Sequence, residues 1–383
     1  MTALLPFAAE EFERRRAAVL ALMAERGLDV LALSSTENIY YLTGFGSLAY
    51  AGTTLLLGAD GTGVWVIRRT ELSNIRALKD VLWARDGVGV TDGEAFGDVL
   101  RRTLRERFGA ARRLGIEMGS VKAGLASFLA IRETAFDCVN VSGLVEGLRR
   151  VKSPAEIALL RRAGHIVATA CREGYEALRP GMTDSELAAV VTASLIRHGS
   201  DRVAQMPNVC AGPRTARAHV TWCGETIRPG EVVNVEPAAS VRDYTTPVYR
   251  MYSLGAPPVE ASRMFATCCE ALEAGYAAVR PGMTAHEAAR IFETVIEKAG
   301  YAEFMVTRPA YSIGGSFPPG WGEDDVAAIR RDSDLILEVG MCFHVVPCLY
   351  RDGLGCIAAS MPSVLTGAGF EPLCDDSVVW ATR

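Results

Sequence analysis

Apolar positions at Phe12, Val19, Leu20 and Met23 fall on one side of a helical projection. That spacing predicts an amphipathic helix over residues 10–26, with Gly27 as its stop. Four short apolar runs follow, DVLALS, TTLLLG, GVWVIR and VLWAR, each bounded by Gly, Asp or Ser as strands are. Helix and strand patterns then alternate through LGIEM (114–118) and FDCVNVS (136–142). The pattern predicts an α/β domain over residues 1–147 and a second domain over 148–383.

The second domain opens on VKSPAEIALLRRAGHIVATACREGYEAL. Ser153 is placed to cap a long helix, and Glu156 three residues on completes a capping box. Ile157, Leu160, Ala163, Ile166 and Val167 form its apolar face. EGYEALRPGMTDSE (173–186) then recurs as AGYAAVRPGMTAHE (274–287). In each copy a helix ends before Arg-Pro-Gly-Met-Thr, and Thr183 or Thr284 caps the next, with Glu186 or Glu287 three residues on. Two copies of one helix–turn–helix, each followed by strands, imply a pseudo-twofold α+β domain. A duplicated domain commonly places its site on the internal axis, where both halves contribute.

Composition narrows the partners. The chain has 383 residues, 22% charged and 49% hydrophobic, with net charge −5. No Lys/Arg cluster stands out, which argues against nucleic acid. No apolar run reaches the roughly 18 residues that span a bilayer. The start, MTALLPFAAEEFERRR, lacks the order of a signal peptide. Ten scattered cysteines include no CxxC pair, so reduced thiols and a cytoplasmic location are expected. High Ala, Gly and Arg usage points to a bacterial source.

The duplicated helix pair, after RRVKSPAEI and an α/β domain, resembles the creatinase/prolidase/aminopeptidase P family, whose catalytic domain is the pita-bread fold. Metal-dependent members hold two ions with two Asp, one His and two Glu. The resemblance places Glu236 (in RPGEVVNVEPAA), Pro247 (in DYTTPVYR), Tyr311 (in AYSIGG), Val346 (in GMCFHVVP) and about Ala359 (in GCIAASMPS) at those positions. One carboxylate of five remains. Divalent ions need several oxygen or nitrogen ligands, so the resemblance implies no metal and no other cofactor. Creatinase itself is metal-free but depends on two glutamates; Tyr249 and Val346 stand there, which disfavours creatine hydrolysis. AHVTWC, DYTTPVYR, YSIGGSFPPGWGED and GMCFHVVPCLYRDGLG are closer to the metal-free ectoine hydrolase branch, which opens a cyclic amidine. Ala358 or Ala359 stands where that branch has its last-strand Glu, and Met251 where Thr is usual, so a substrate other than ectoine is open.

The resemblance implies roles for the surviving polar residues. His219 matches a His usual in the family and could protonate a leaving nitrogen; a structural or surface His is the alternative. Glu236 ends the apolar strand VVNVE, where a charge is costly unless it serves a site. Burial would raise its pKa and suit it to act as base or nucleophile. If Glu236 faces the pocket, strand alternation adds Asn234, Tyr249 (with Pro247) and His344 (with Val346). Tyr249 and Tyr311 could orient the substrate through their hydroxyls; core packing is the alternative. Arg250 should point away and pair with a helix carboxylate. Arg308 is suited to a substrate carboxylate, and Trp321 with Pro318 and Pro319 to a wall of the pocket. His165, His198 and His286 fall on helices and read as bland. ENIYYLTGF (37–45) resembles a family segment, and the loop after it reaches the partner's site in creatinase-like dimers, with Tyr50 as the matching aromatic.

Three functions follow: a metal-independent hydrolase of a C–N bond in a small amidine, guanidine or amide; a non-hydrolytic enzyme of specialised metabolism using the same pocket; or a non-catalytic binding module. A homodimer acting on a small molecule is expected.

Overall fold

The computed structural model describes residues 5–47, 52–119, 125–132, 134 and 136–383, so Tyr50 lies outside the described residues. Two compact units divide at Arg149/Arg150, close to the boundary read from the sequence.

In the first unit the helix Ala9–Glu25 buries Phe12, Val19 and Met23. A six-stranded sheet runs in the order Asp86–Val90, Gly63–Arg68, Thr54–Gly58, Val30–Leu33, Arg113–Ile116 and Asp137–Asn140. VLWAR is not a strand. Packing buries part of it instead: Leu82 and Ala84 are core, Trp83 Nε1 donates to the Leu42 carbonyl at 2.7 Å, and Val81 is exposed. The strand is the glycine-containing DGVGV that follows. A Cβ at Gly87 would sit 3.0 Å from Trp65 Cβ, and one at Gly89 3.0 Å from Arg69 Cα, so this strand needs glycine to approach its neighbours. ENIYYLT is a helix, Thr36–Thr43, capped by Ser35 and ended by Gly44 in the left-handed region (φ 72°).

The second unit carries the two helix pairs, Pro154–Ala177 with Asp184–Arg197 and Val259–Ala278 with Ala285–Lys298. The capping boxes at Ser153, Thr183 and Thr284 are formed as expected. The repeated Gly-Tyr now has a reason. A Cβ at Gly275 would collide with the Phe292 ring, and one at Gly174 with Val191, so each glycine lets its helix pair close. Each tyrosine ties its helix to a strand: Tyr175 donates to the Thr382 carbonyl (2.8 Å), and Tyr276 bonds the Ser363 hydroxyl (2.5 Å). Each helix pair is followed by antiparallel strands. One sheet runs Trp380–Thr382, Arg250–Ser253, Val233–Glu236, Asn208–Ala211; only its outer pair is parallel. The other runs Ala328–Ile329, Ala310–Ser312, Cys342–Val345, Met361–Thr366, Gly369–Pro372.

Candidate active site

A cavity of about 360 Å³ lies within the second unit and takes its walls from both halves of the repeat. The first half supplies the pair Asn208–Ala211 and Val233–Glu236. Asn208 is registered opposite Glu236 and Cys210 opposite Asn234, and all four line the cavity. Asn208 Nδ2 donates to Glu236 Oε2 at 2.9 Å. Burial outweighs that bond and raises the Glu236 pKa to about 7, so the carboxyl exchanges protons near neutrality. Tyr249 also lines the cavity, and burial holds its hydroxyl protonated.

His219 stands on an irregular loop at the cavity's rim, exposed and in the left-handed region (φ 57°). It is not followed by a strand. The loop is held by Asp184, fully buried at the start of its helix. Asp184 accepts from the backbone N–H of Cys223, Gly224 and Glu225 and from Arg214, whose other nitrogen donates to the Thr221 carbonyl.

The second half supplies a chain of hydrogen bonds. Trp321 Nε1 donates to the Tyr311 hydroxyl at 2.9 Å. The same hydroxyl lies 2.8 Å from His344 Nδ1, and His344 Nε2 lies 2.8 Å from the Ser360 hydroxyl. Burial, aided by Arg250 and Arg308, lowers the His344 pKa to about 3, so the ring is neutral and carries one proton. With that proton on Nε2, Tyr311 donates to Nδ1 and offers the cavity an acceptor. With it on Nδ1, Tyr311 accepts and its own proton is free to point into the cavity. His344 thus differs from the expected pocket-facing residue. It is registered opposite Tyr311 but is fully buried, and only the longer tyrosine reaches the cavity.

Trp321 lines the cavity as expected, and its loop is anchored by a buried ion pair. Lys152 Nζ donates to Glu323 (2.8 Å) and to the Ser312 hydroxyl (2.9 Å). Arg308 lines the cavity, pairs with Asp324 and lies 4.6 Å over the Tyr311 ring. A substrate carboxylate there would share Arg308 with Asp324. Arg250 is structural, but its carboxylate is Asp376 of the C-terminal loop, not a helix residue; it also donates to the Ser360 carbonyl. His165, His198 and His286 lie outside the cavity lining.

Of the five family metal positions, Glu236, Tyr311 and Val346 line the cavity, whereas Pro247 and Ala359 do not. Tyr311 is already bonded on two sides and Val346 is apolar. Among the described residues no group of three or more His, Cys, Asp or Glu is placed to hold a metal. The donor set does not fit a dinuclear centre. Asn208, Asp324 and Ser360 were not foreseen. A reading of the Asn208–Glu236 strand register would have found the first; the others act through residues distant in sequence.

Among the described residues, no helix is long and apolar enough to cross a membrane. The Metallopeptidase family M24 model matches residues 158–371, and the Creatinase/Prolidase N-terminal domain model matches 15–151. The chain is 30% identical to an ectoine hydrolase of Halomonas elongata, over 97% of each chain. It is 26% identical to a Xaa-Pro dipeptidase of Lactobacillus helveticus, over 90% of this chain and 92% of that one. A recombinant prolidase from Thermococcus sibiricus shares the fold, with a TM-score of 0.86 at 23% identity, covering 97% of this chain and 99% of that one. The chain is therefore a member of metallopeptidase family M24, with the creatinase/prolidase type of N-terminal domain before a pita-bread domain.

Proposed function

We propose that this protein hydrolyses a non-peptide C–N bond in a small amidine, guanidine or amide, and does so without a metal. The observation that carries this is Glu236. It is a carboxyl poised near neutrality in the wall of a cavity whose remaining family metal positions offer no ionic ligand. The Halomonas relative, named an ectoine hydrolase, supports the non-peptide reading.

In the proposed reaction, ionised Glu236 takes a proton from water as its oxygen bonds to the amidine or amide carbon. The π electrons of that carbon move onto its heteroatom, where the Tyr311 hydroxyl donates a hydrogen bond. His219, in its protonated form, gives a proton to the leaving nitrogen as the C–N bond breaks. The proton on Glu236 then passes to solvent and His219 is reprotonated, so water has been added across the bond with no redox change. The same residues would serve direct attack by Glu236, followed by hydrolysis of the acyl intermediate.

The test is turnover after exhaustive chelation, against cyclic amidines, guanidino compounds, small amides and Xaa-Pro dipeptides. Turnover of a non-peptide substrate should survive. Dipeptide activity that disappears with chelator and returns with manganese would overturn the proposal and favour the activity named for the Lactobacillus relative.

A further inference from the structure

Two donors at the ends of the hydrogen-bond chain behind Tyr311 cannot reverse. At one end the backbone N–H of Tyr249 donates to the Ser360 hydroxyl oxygen at 2.8 Å. At the other the indole N–H of Trp321 donates to the Tyr311 oxygen at 2.9 Å. Between them lies the neutral His344 ring, which has one proton for its two nitrogens. Ser360 and His344 are fully buried, so each proton between these ends needs an acceptor inside the protein. With the ring proton on Nε2, the Ser360 oxygen would accept twice, and its own O–H would have no acceptor among the described residues. A buried donor left unpaired is costly. With the ring proton on Nδ1, Ser360 donates to Nε2 and each of these protons is taken up. The Tyr311 oxygen then accepts from both His344 and Trp321, and its own O–H is the one left over. Tyr311 lines the cavity, and Ser360 does not.

We infer that Ser360 is a positioning residue: it holds the His344 proton on Nδ1 and so makes Tyr311 a hydrogen-bond donor to the cavity. A tyrosine hydroxyl can run its hydrogen bond either way, and Ser360 chooses which. Arg250 steadies Ser360 in turn by donating to its carbonyl. A donor set in advance suits an atom that carries a lone pair and gains electron density during the reaction, because it need not turn as charge develops. The part played in turnover rests on the hydrolase reading; the direction of the chain does not.

The experiment reads the ring directly. The chain has five histidines, and with isotope-labelled histidine in the full chain, proton–nitrogen correlation spectra separate the two tautomers of each. His344 is the ring that stays neutral in acid, its pKa lying at about 3, and the one lost in His344→Leu. In wild type its proton should sit on Nδ1. Ser360→Thr keeps the hydroxyl and should keep that tautomer, whereas Ser360→Ala should shift the proton towards Nε2. On the substrate found in the chelated panel, Ser360→Ala should lower kcat about 10-fold with KM little changed, and Ser360→Thr should keep the wild-type value. A wild-type ring protonated on Nε2 would overturn the proposal, and that result needs no variant to fold. So would undiminished Nδ1 protonation in Ser360→Ala, or a wild-type kcat alongside a shifted tautomer. Failure here is distinct from failure of the hydrolase reading. If no compound of the panel turns over, that reading falls, and the ring tautomer still decides the role of Ser360.

Discussion

His344 Nδ1 lies 2.8 Å from the Tyr311 hydroxyl, so the placement of a single ring proton decides whether Tyr311 gives or takes a hydrogen bond in the cavity. Tyr311→Phe should lower kcat by about 100-fold on the substrate found in the chelated panel, with Tm close to wild type. His344→Leu should lower both kcat and Tm, because it removes one hydrogen bond from each of the buried Tyr311 and Ser360 hydroxyls. Wild-type turnover by Tyr311→Phe would remove the tyrosine from the chemistry.

Glu236 must be ionised to act, so kcat/KM should climb through about pH 7 on its acid limb. The Asn208 bond favours the charged carboxylate. Asn208→Leu should therefore raise the pKa and move that limb to higher pH, while Glu236→Gln should abolish turnover. A limb that stays in place in Asn208→Leu would assign it to another group.

Removing one partner of a buried ion pair strands the other charge. Lys152→Met should cost about 3–5 kcal/mol, and adding Glu323→Leu to it should restore most of that loss. Denaturant unfolding of the two variants measures the difference. Equal stability of the single and double variants would mean that the pair is not coupled.

The Asp184 side chain accepts from three backbone N–H groups of the His219 loop and from Arg214. Asp184→Ala should release that loop, and trypsin should then cut at exposed Arg217 faster than in wild type. His219-dependent turnover should fall in parallel. An unchanged cleavage rate would show that the loop is held elsewhere.

In the first unit Glu117 is 2% exposed, and burial raises its pKa to about 7, although Asn38 and two backbone N–H groups bond it. Its ordinary value is 4.5, so the folded state holds a proton that the unfolded state releases. That contribution to stability is present below about pH 4.5 and is lost as pH rises through about 7. Glu236 adds to the same trend. Thermal unfolding between about pH 5 and about pH 8 should show stability falling with pH, and Glu117→Gln should flatten the slope. Equal slopes in the two proteins would exclude Glu117 as a source of it.

Much of the fold was legible because its signals are local. The capping boxes at Ser153, Thr183 and Thr284 are set by residues three apart, and all three formed. VLWAR misled because apolar residues buried by packing look like a strand, while DGVGV hid behind glycines that the sheet requires. At the site, strand period placed Asn234 beside Glu236 in the wall but put His344 there too. Period fixes the face of a residue, not its depth, and depth depends on the length of neighbours such as Tyr311. The partners of Asp184 and Arg250 come from distant loops that no local pattern announces.

The duplicated helix pairs have one further consequence. Across matching strand pairs, one half sets Asn208 against Glu236 and the other sets Tyr311 against His344. What began as two like halves has become a division of labour. One half carries Glu236, the carboxyl that titrates near neutrality, and the other offers, through Tyr311, a neutral hydroxyl whose hydrogen bond can run either way. Because the two functions sit on separate sheets, either can be retuned by substitution without dismantling the other, and a cavity of this kind can change its chemistry one half at a time.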